Sequence, residues 1–533
     1  MKTKHQIKVS EFLKEASQFQ LGELATESSH PKTTQLSQLS QSNLSAAIQL
    51  FQEIEIEALS NLLKHSVQLE ELSQAMLNCL QKQGRVFFCG CGATGRLSIS
   101  LETNWRESLS DSNSPYSNRI VGFIAGGDYA LVKSIENFED HPEYGARQLL
   151  ELGFNENDLL VSCTEGGETP FVIGATLEAC LHSKYPSYFL FCNSKASLSH
   201  LQRCQSIFDH SNIKSWSLES GPQAICGSTR LQASSILYLA CGLALFSARA
   251  RLLAENAISI KVQLENYVDF LKKTDLNSLH NLIEIESQTY QRKQFLTYHL
   301  KKDPMPILTD LTERSPTFNL LAIENELENS LEAATTSLCL DSASDSQIAW
   351  NQILGREPRA LNWPELKNRF DKNIVLGFDF SSSKDRLREL LVTGDKHRRI
   401  YIVENENRIE FTSPAENKVL CSLNIPTQIL EKNLFLKLIF NLVSTLTQCR
   451  NGRVRGNIML FVKPSNKKLI DRAARFTRIL LKEQHQLSSQ FEEIIDCVFT
   501  ASESLQAEES VVLKSVDIFL NRHKSRTELM KLK

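Results

Sequence analysis

A glycine-rich loop between a strand pattern and a helix pattern constrains this chain more than any other feature. The run "RVFFCG" (85–90) is short and apolar, which is typical of a buried strand. The helix-like stretch "LSISLETNWRESL" follows. The glycines between them let the backbone turn tightly, and the free N–H groups of the first helical turn suit a phosphate. The sequence therefore predicts a phosphate cradle at Gly92, Ala93, Thr94 and Gly95.

The same loop has the GxGxxG spacing of a dinucleotide-binding turn. Such a turn is followed, about 20 residues on, by an acidic residue at the end of the next strand. Here the next strand candidate, "RIVGFIAGGD", ends in glycines, and Asp128 lies more than 30 residues beyond the loop. This disfavours a dinucleotide, and leaves a phosphate cradle and a plain tight turn as the two remaining interpretations.

Short apolar runs alternate with helix-like stretches through the first half of the chain. The runs "RIVGFIAGG", "DLLVSCT" and "SYFLFC" predict further strands. Buried strands that alternate with helices imply an α/β fold with a parallel sheet covered on both faces. A weaker second cycle contains the strand candidates "MPILTDL", "NIVLGFDF", "RIYIVEN" and "KVLCSLNI", and the pattern after Asn466 is entirely helical.

The length of 533 residues fits about two to four domains. We predict an N-terminal arm over 1–44 and a first α/β domain over 45–270. A second, diverged α/β domain follows over 290–465, and a helical cap covers 466–533.

Composition excludes several classes of protein. The net charge of −3 gives no field that would recruit nucleic acid or an acidic membrane surface. We find no apolar core of a signal peptide and no run of about 18 uncharged apolar residues, so we expect a cytoplasmic protein without membrane contact. The 13 cysteines are scattered, which predicts free thiols. Cys89 and Cys91 have no partner pair nearby, whereas structural zinc needs about four ligands, so we expect neither a metal nor a cofactor.

Two further loops carry hydroxyl groups at predicted helix starts. In "SCTEGGETPFV", Thr164 ends a strand, while Glu165 and Glu168 either face sugar hydroxyls or cap the helix. In "SGPQAICGSTRL", Ser228 and Thr229 either bind a ligand or cap the long helix that follows. Because the carboxyl ends of parallel strands share one edge of a sheet, we expect these groups to converge on the first loop.

A pair of glutamates lies in "SIENFED". Glu136 and Glu139 are three residues apart, which places them on one face of a helix. Either is a candidate general base if it is buried. The alternative is an ordinary solvated face.

Six segments then occur in a characteristic order. They are "LATESSHP", "GCGATGRLS", "FIAGGDYALVKSIENFED", "TEGGETPFVIG", "SGPQAICGSTRL" and "NLVSTLTQCRNGRVRGNIM", followed by "SNKKL". Together they resemble the sugar isomerase (SIS) domain proteins that comprise N-acetylmuramic acid 6-phosphate etherase and the glucokinase regulatory protein. The resemblance implies two SIS-type domains, each a flavodoxin-like three-layer αβα unit, with a C-terminal helical lid.

The resemblance also implies a ligand and its contacts. The ligand is a fructose phosphate or an amino-sugar phosphate, with the amides of 93–95 and the Thr94 hydroxyl on its phosphate. Thr164, Ser228 and Thr229 line the same site.

The sugar itself is expected to meet Glu136 and Glu139, and Asn466 and Lys468 reach in from the C-terminal part. The likeness to the regulatory protein implies a sugar kinase as a candidate partner.

Several positions depart from the family pattern. The etherase has a glutamate acid/base where this chain has Asn104, and an amide cannot shuttle a proton. Glu102 lies two residues earlier, off that helical face. Serine or threonine is usual where this chain has Ala93, and serine where it has Gly166.

The counterpart loop of the second domain, "TDLTERSPTF", lacks glycine. It predicts no independent phosphate site, although Glu313 and Arg314 are placed to close over the first site.

Three functions fit these residues. The first is a sugar-phosphate-binding regulatory protein, which the asparagine at position 104 favours. The second is an etherase, a lyase that releases D-lactate with Glu136 as base. The third is a sugar-phosphate isomerase, for which a single carboxylate suffices.

Overall fold

The computed structural model describes residues 4–16, 21–109, 114–135, 138–327, 333–366, 370–391, 396–506 and 508–531. The first sheet comprises β1 (Val86–Gly90), β2 (Ile120–Ile124), β3 (Leu159–Cys163), β4 (Ser187–Phe191) and β5 (Ile213–Ser217). All its strands are parallel, in the order β2-β1-β3-β4-β5. In this flavodoxin-like order the direction of winding reverses between β1 and β3, where ligands of such folds gather.

The second sheet comprises β6 (Phe295–Leu300), β7 (Thr336–Leu340), β8 (His397–Asn405), β9 (Arg408–Ser413) and β10 (Lys418–Asn424). Its order is β10-β9-β8-β6-β7. Strands β7, β6 and β8 are parallel, whereas β9 and β10 add an antiparallel extension. The α/β fold class is confirmed, with a second sheet that is mixed because short turns join β8, β9 and β10.

Helices surround both sheets and form the C-terminal part. They are α1 (Lys4–Glu15), α2 (Leu36–Ser42), α3 (Leu44–Asn61), α4 (Ser66–Gln81), α5 (Ala93–Glu107), α6 (Tyr129–Val132), α7 (Pro142–Glu151), α8 (Pro170–His182), α9 (Lys195–Leu198), α10 (Gln202–Phe208), α11 (Gln232–Leu252), α12 (Ile260–Lys273), α13 (His280–Gln291), α14 (Pro304–Phe318), α15 (Ser346–Leu354), α16 (Lys372–Leu376), α17 (Ser382–Leu391), α18 (Ile429–Arg450), α19 (Lys467–His485), α20 (Phe491–Glu503) and α21 (Val511–Lys531). A short hairpin, β11 (Val454–Arg455) with β12 (Ile458–Met459), precedes α19.

Two long buried helices, α11 and α18, pack against each other in the centre of the molecule. Among the described residues, α11 is the one helix long and apolar enough to suit a membrane span, and 83% of its most apolar window is buried inside the protein. A side chain at Gly242 of α11 would meet Leu430 of α18 at 2.2 Å, so the two helices are in close contact. One continuous apolar core therefore runs from the first sheet to the second.

Two of the runs predicted as strands of the second sheet are not strands, and β6, β7 and β9 are strands that the sequence did not predict. The run "MPILTDL" lies in α14, and "NIVLGFDF" comprises α16 and the loop after it. Pro304 stands at the start of α14, where the missing N–H costs nothing, so the helix tolerates it. The loop after β6 is thus 301–303, and "TDLTERSPTF" is helical rather than a loop.

The segment before α2 connects the N-terminal part to α19. Arg472 Nη2 lies 2.5 Å from Glu27 Oε1, and Arg475 Nη2 lies 2.7 Å from Glu27 Oε2. Burial raises the pKa of Glu27, but the two guanidinium groups outweigh it and bring the pKa down to about 2. A buried ion cluster therefore holds α19 against the start of the chain.

Candidate functional site

A cavity of about 1070 Å³ lies at the carboxyl end of the first sheet. Its walls come from the loop after β1, the loop before α11, the end of α14 and the start of α19. The predicted site residues that line it are Gly92, Ala93, Glu139, Ser228, Thr229, Glu313 and Asn466. Five others, Thr94, Gly95, Thr164, Glu165 and Lys468, are not part of its lining.

The first loop presents the N-terminus of α5 to this cavity. Gly92 precedes the helix with φ +56° and ψ −120°, a conformation that favours glycine. The Thr94 hydroxyl accepts a hydrogen bond from Cys91 N (3.1 Å) and donates one to Cys91 O (3.0 Å), so it fixes the turn instead of facing the cavity. The first-turn amides of α5 have no acceptor within the helix, which makes them available to an anion.

The loop before α11 adds two hydroxyl groups. Ser228 and Thr229 line the cavity, and their side chains have no hydrogen-bond partner among the described residues. The helix begins only at Gln232, and the residue before it, Leu231, makes no side-chain cap. Ser228 and Thr229 are therefore not helix caps, and both remain free to bind a ligand.

Glu139 connects the first loop to α19. Its Oε1 accepts a hydrogen bond from Asn466 Nδ2 (2.5 Å), and its Oε2 lies 3.5 Å from Cys91 Sγ. Glu139 itself lies in a 3-10 turn, Phe138–Asp140, and not in the α-helix predicted for the glutamate pair. Glu136 lies outside the described residues.

Asn466 and Lys468 hold the start of α19 close to Glu139. Asn466 Oδ1 accepts a hydrogen bond from Leu469 N (2.9 Å) and caps the helix. Lys468 is half-buried, and the neighbouring Glu139 carboxylate raises the pKa of its ammonium group. This ammonium group lies near Glu139 but is not part of the cavity lining.

Glu313 is a second carboxylate of the site. It comes from α14, is 3% exposed and lines the cavity. Neither of its carboxylate oxygens has a hydrogen-bond partner in the described part of the chain. Burial raises its pKa, although the nearby Arg96 and Lys437 oppose the shift. A ligand with hydroxyl groups would supply the missing donors.

The neighbouring Arg314 does not enter the site. Its Nε donates to Asp310 and its Nη1 to Glu286 of α13, both at 2.7 Å. Of the two residues predicted to close over the first site, Glu313 lines the cavity and Arg314 does not. Helical spacing explains the difference, because adjacent residues of α14 point in different directions.

Comparison with known proteins agrees with this geometry. Residues 68–181 match the glucokinase regulatory protein N-terminal SIS domain. This part of the chain is an SIS domain. It contains β1 to β3 and the loop at the cavity.

Curated relatives extend the match. An N-acetylmuramic acid 6-phosphate etherase of Francisella philomiragia is 28% identical over 215 residues, or 40% of this chain and 67% of the relative. The etherase of Pasteurella multocida is 32% identical over 212 residues, 40% of this chain and 64% of its own length. This chain thus spans about two thirds of the length of these relatives.

Among solved structures, the C-terminal domain of glucosamine-fructose-6-phosphate aminotransferase from Francisella tularensis superposes with a TM-score of 0.35. Its sequence identity is 11%, and the match covers 75% of this chain and 95% of that domain.

In the second loop of the SIS domain, the side chains of Thr164 and Glu168 bind other residues of the protein. Thr164 Oγ1 contacts Thr169 Oγ1 (3.0 Å) and accepts a hydrogen bond from Gly167 N. Glu168 binds Arg203 at 2.8 Å, so it neither caps α8 nor faces the cavity. This loop is therefore held by its own contacts and does not line the cavity.

Glu165 is a buried titratable group next to that loop. Its Oε1 accepts a hydrogen bond from Ser234 Oγ (3.0 Å). Burial raises its pKa to about 7, and the nearby Glu313 carboxylate adds to the shift. Glu165 therefore changes charge near neutral pH.

The position of the missing etherase glutamate also lies away from the cavity. Asn104 is 1% exposed, and its Nδ2 donates a hydrogen bond to the Tyr238 hydroxyl (2.5 Å) between α5 and α11. Glu102 is bound by Arg106, Arg356 and Arg359. Burial raises the pKa of Glu102, but these cations lower it to about 2. Neither residue can transfer a proton to a ligand in the cavity.

Proposed function

We propose that this chain binds a sugar phosphate in the cavity at α5 and acts as a regulatory protein. The observation that carries the proposal is a set of donors without partners at one edge of the SIS domain. The first-turn amides of α5 and the hydroxyls of Ser228 and Thr229 belong to it, and Lys468, close to Glu139, adds a positive charge outside the lining. Backbone amides and hydroxyls with a cation nearby form a donor set that suits a phosphate.

The remaining polar residues of the lining suit a sugar. Glu139, Glu313 and Asn466 offer carboxylate and amide groups, which hydrogen-bond to hydroxyl groups or to an amine. The volume of about 1070 Å³ exceeds the needs of a hexose phosphate. We infer a fructose phosphate or an amino-sugar phosphate as ligand class.

Thermal unfolding with a ligand panel tests this proposal. Fructose 6-phosphate, fructose 1-phosphate and glucosamine 6-phosphate are compared with fructose, which lacks the phosphate. A ligand at 100 times its Kd adds about 2.7 kcal/mol of stability, so at least one sugar phosphate should raise the Tm while fructose does not.

A variant pair localises the effect. Ser228→Ala combined with Thr229→Ala removes two donors and should abolish the shift, whereas Ser199→Ala removes an exposed hydroxyl outside the cavity and should keep it. The absence of a shift with every sugar phosphate would refute the proposal.

A regulatory role requires a protein that responds to the ligand. We extend the proposal to a sugar kinase in the cytoplasm, the partner that the likeness to the regulatory protein implies. The chain added to a purified glucokinase should lower its rate, and the extent should change with fructose 6-phosphate. An unchanged rate in both conditions contradicts this part alone.

A lyase is the second candidate, and Glu313 favours it. An elimination needs one group to remove a carbon-bound proton and another to protonate the leaving oxygen. Glu139 and Glu313 both line the cavity, so the site contains the two carboxylates that the chemistry needs. The matched relatives are etherases, which supports the same reading.

The assay is release of D-lactate from N-acetylmuramate 6-phosphate by the pure protein. Turnover that Glu313→Gln or Glu139→Gln abolishes would establish the lyase. A protein that shifts its Tm with this compound but releases no lactate is a binding protein.

A further inference from the structure

Three different metal-ligand side chains meet at the edge of the second sheet, away from the sugar-phosphate cavity. His299 in β6 and Cys339 in β7 are paired in register on adjacent parallel strands, so their side chains project from the same face. Asp341 follows Cys339 by two residues, just after β7 ends at Leu340. This is the carboxyl edge of the parallel part of the sheet, where α/β folds place ligands.

The donor atoms lie close together. His299 Nδ1 is 2.7 Å from Asp341 Oδ1, and Cys339 Sγ is 3.8 Å from the same oxygen. All three donor atoms lie within 4.8 Å of one another. Ligand atoms around one tetrahedral ion at metal distances of about 2.0–2.3 Å are separated by roughly 3.3–3.7 Å, so small side-chain movements accommodate an ion.

The second nitrogen of His299 has the surroundings of a metal-bound imidazole. Nε2 makes no hydrogen bond in the described part of the chain, and it lies 3.5 Å from Asp385 Oδ2. Asp385 is held in turn by Arg399 Nε at 2.9 Å. A carboxylate behind the imidazole orients metal-binding histidines, since it accepts the proton of the nitrogen that faces away from the ion.

Two of the three side chains are buried and the third is partly exposed, which leaves one side of the cluster open to an ion and a water molecule. His299 is 5% exposed and Cys339 1%, whereas the Asp341 side chain is 28% exposed. Asp341 is thus the open side of the cluster. Three protein ligands with one open position are the arrangement of a zinc site that keeps a water.

We propose that His299, Cys339 and Asp341 bind one transition-metal ion of the zinc type, with water as the fourth ligand. A thiolate and an imidazole select Zn²⁺ or Co²⁺ over Mg²⁺ and Ca²⁺, which prefer oxygen ligands. Binding releases the thiol proton of Cys339 to solvent, so the site holds a thiolate, a neutral imidazole and a carboxylate.

Titration of the full-length, chelator-treated protein with Co²⁺ tests the proposal. We expect one Co²⁺ per chain, with tetrahedral visible bands and a thiolate-to-cobalt absorption in the near ultraviolet, and Zn²⁺ should displace it. Cys339→Ser should remove the thiolate absorption and weaken binding by at least about 100-fold, because a direct ligand counts for more than an outer-shell group.

Two further variants distinguish loss of a metal ligand from loss of the fold. Cys421→Ser removes a buried thiol from β10 of the same sheet, where it contacts Ser278 at 3.3 Å, and should keep the absorption. Asp341→Asn, at the open side, should weaken Co²⁺ binding without loss of the folded circular dichroism spectrum. Wild-type protein without thiolate absorption, or an absorption that survives Cys339→Ser, overturns the proposal and leaves a hydrogen-bonded cluster.

Discussion

The pKa values of buried carboxylates in this protein differ according to the cations around them. Glu102 is bound by three arginines, and its pKa lies near 2 although burial alone would raise it. Glu313 is equally buried but has no hydrogen-bond partner among the described residues, and its pKa is raised. The first carboxylate stabilises the fold, whereas the second lines the cavity with its oxygens unpaired among the described residues.

Substitution with glutamine should separate these two roles. Glu313→Gln keeps the shape and removes a charge that the folded protein disfavours, so the Tm without ligand at pH 8 should be unchanged or higher. Glu102→Gln leaves buried arginines without a counter-charge and should cost about 3–5 kcal/mol. A loss of Tm in Glu313→Gln as large as in Glu102→Gln would contradict this view, and ligand affinity in Glu313→Gln should fall at least about tenfold.

Glu165 gives the fold a pH dependence near neutrality. Its pKa rises from 4.5 to about 7 on folding, so between these values the folded state binds more protons than the unfolded state. The stability that this proton provides is complete below pH 4.5 and is lost as the pH rises through 7. Glu165→Gln should flatten the curve of unfolding free energy against pH by at most about 3 kcal/mol. Urea unfolding of both proteins from pH 5 to 8 measures the difference, and parallel curves would refute it.

At the scale of elements, the strand β1, its loop and α5 act as one unit. Gly92 at φ +56° sets the direction of the first-turn amides, and a Cβ there would contact nothing within 4 Å. Gly92→Ala should therefore act through the backbone, with a cost of about 1–2 kcal/mol and a loss of the ligand-induced Tm shift.

Gly452 provides a matched control for this substitution. It also has a positive φ, of +73°, with open space around its Cβ, and it lies after α18 outside the cavity. Gly452→Ala should lower the Tm comparably but keep the ligand shift. Equal loss of the shift in both variants would show that the effect is only one of stability.

The elements also show what a sequence can predict here. The apolar runs of β1, β3 and β4 and the glycine loop of the SIS domain are local signals, and these strands were predicted from them. The run "MPILTDL" was assigned to a strand because a short apolar run does not distinguish a strand from a buried helix. The weakly apolar β5, "IKSWS", lies at an edge of its sheet and gave no signal.

The sequence also predicts those parts of the candidate site that depend on local signals and on the topology of the sheet. Gly92, Ser228 and Thr229 follow strands of one parallel sheet, so their meeting at its edge follows from topology. The position of Glu313 depends on how α14 packs against α5, and the burial of Asn104 depends on α11. Such contacts between distant segments leave no local pattern.

At the scale of the whole molecule, the two sheets share one interior. Arg230, next to the cavity, reaches Asp310 of α14 at 2.8 Å and Ser444 of α18 at 3.1 Å. Because α11 and α18 are also in direct contact, the larger apolar cluster loses part of its packing when either half unfolds.

We therefore expect a single cooperative unfolding transition. Trp216 reports on the first sheet, where it packs against Tyr188, and Trp350 reports on the second half, where it packs against Phe380. Fluorescence of variants that keep only one of these two tryptophans should coincide with far-ultraviolet circular dichroism. Two separate midpoints would mean that the halves are independent.

The contacts of Glu27 join two segments that lie 445 residues apart in the sequence. A chain truncated before residue 466 carries the glycine loop and the hydroxyls of Ser228 and Thr229, but it lacks Asn466, Lys468 and both arginines that hold Glu27. If the proposed sugar phosphate binds in the cavity, it should therefore stabilise the chain that contains α19 more than such a truncated chain.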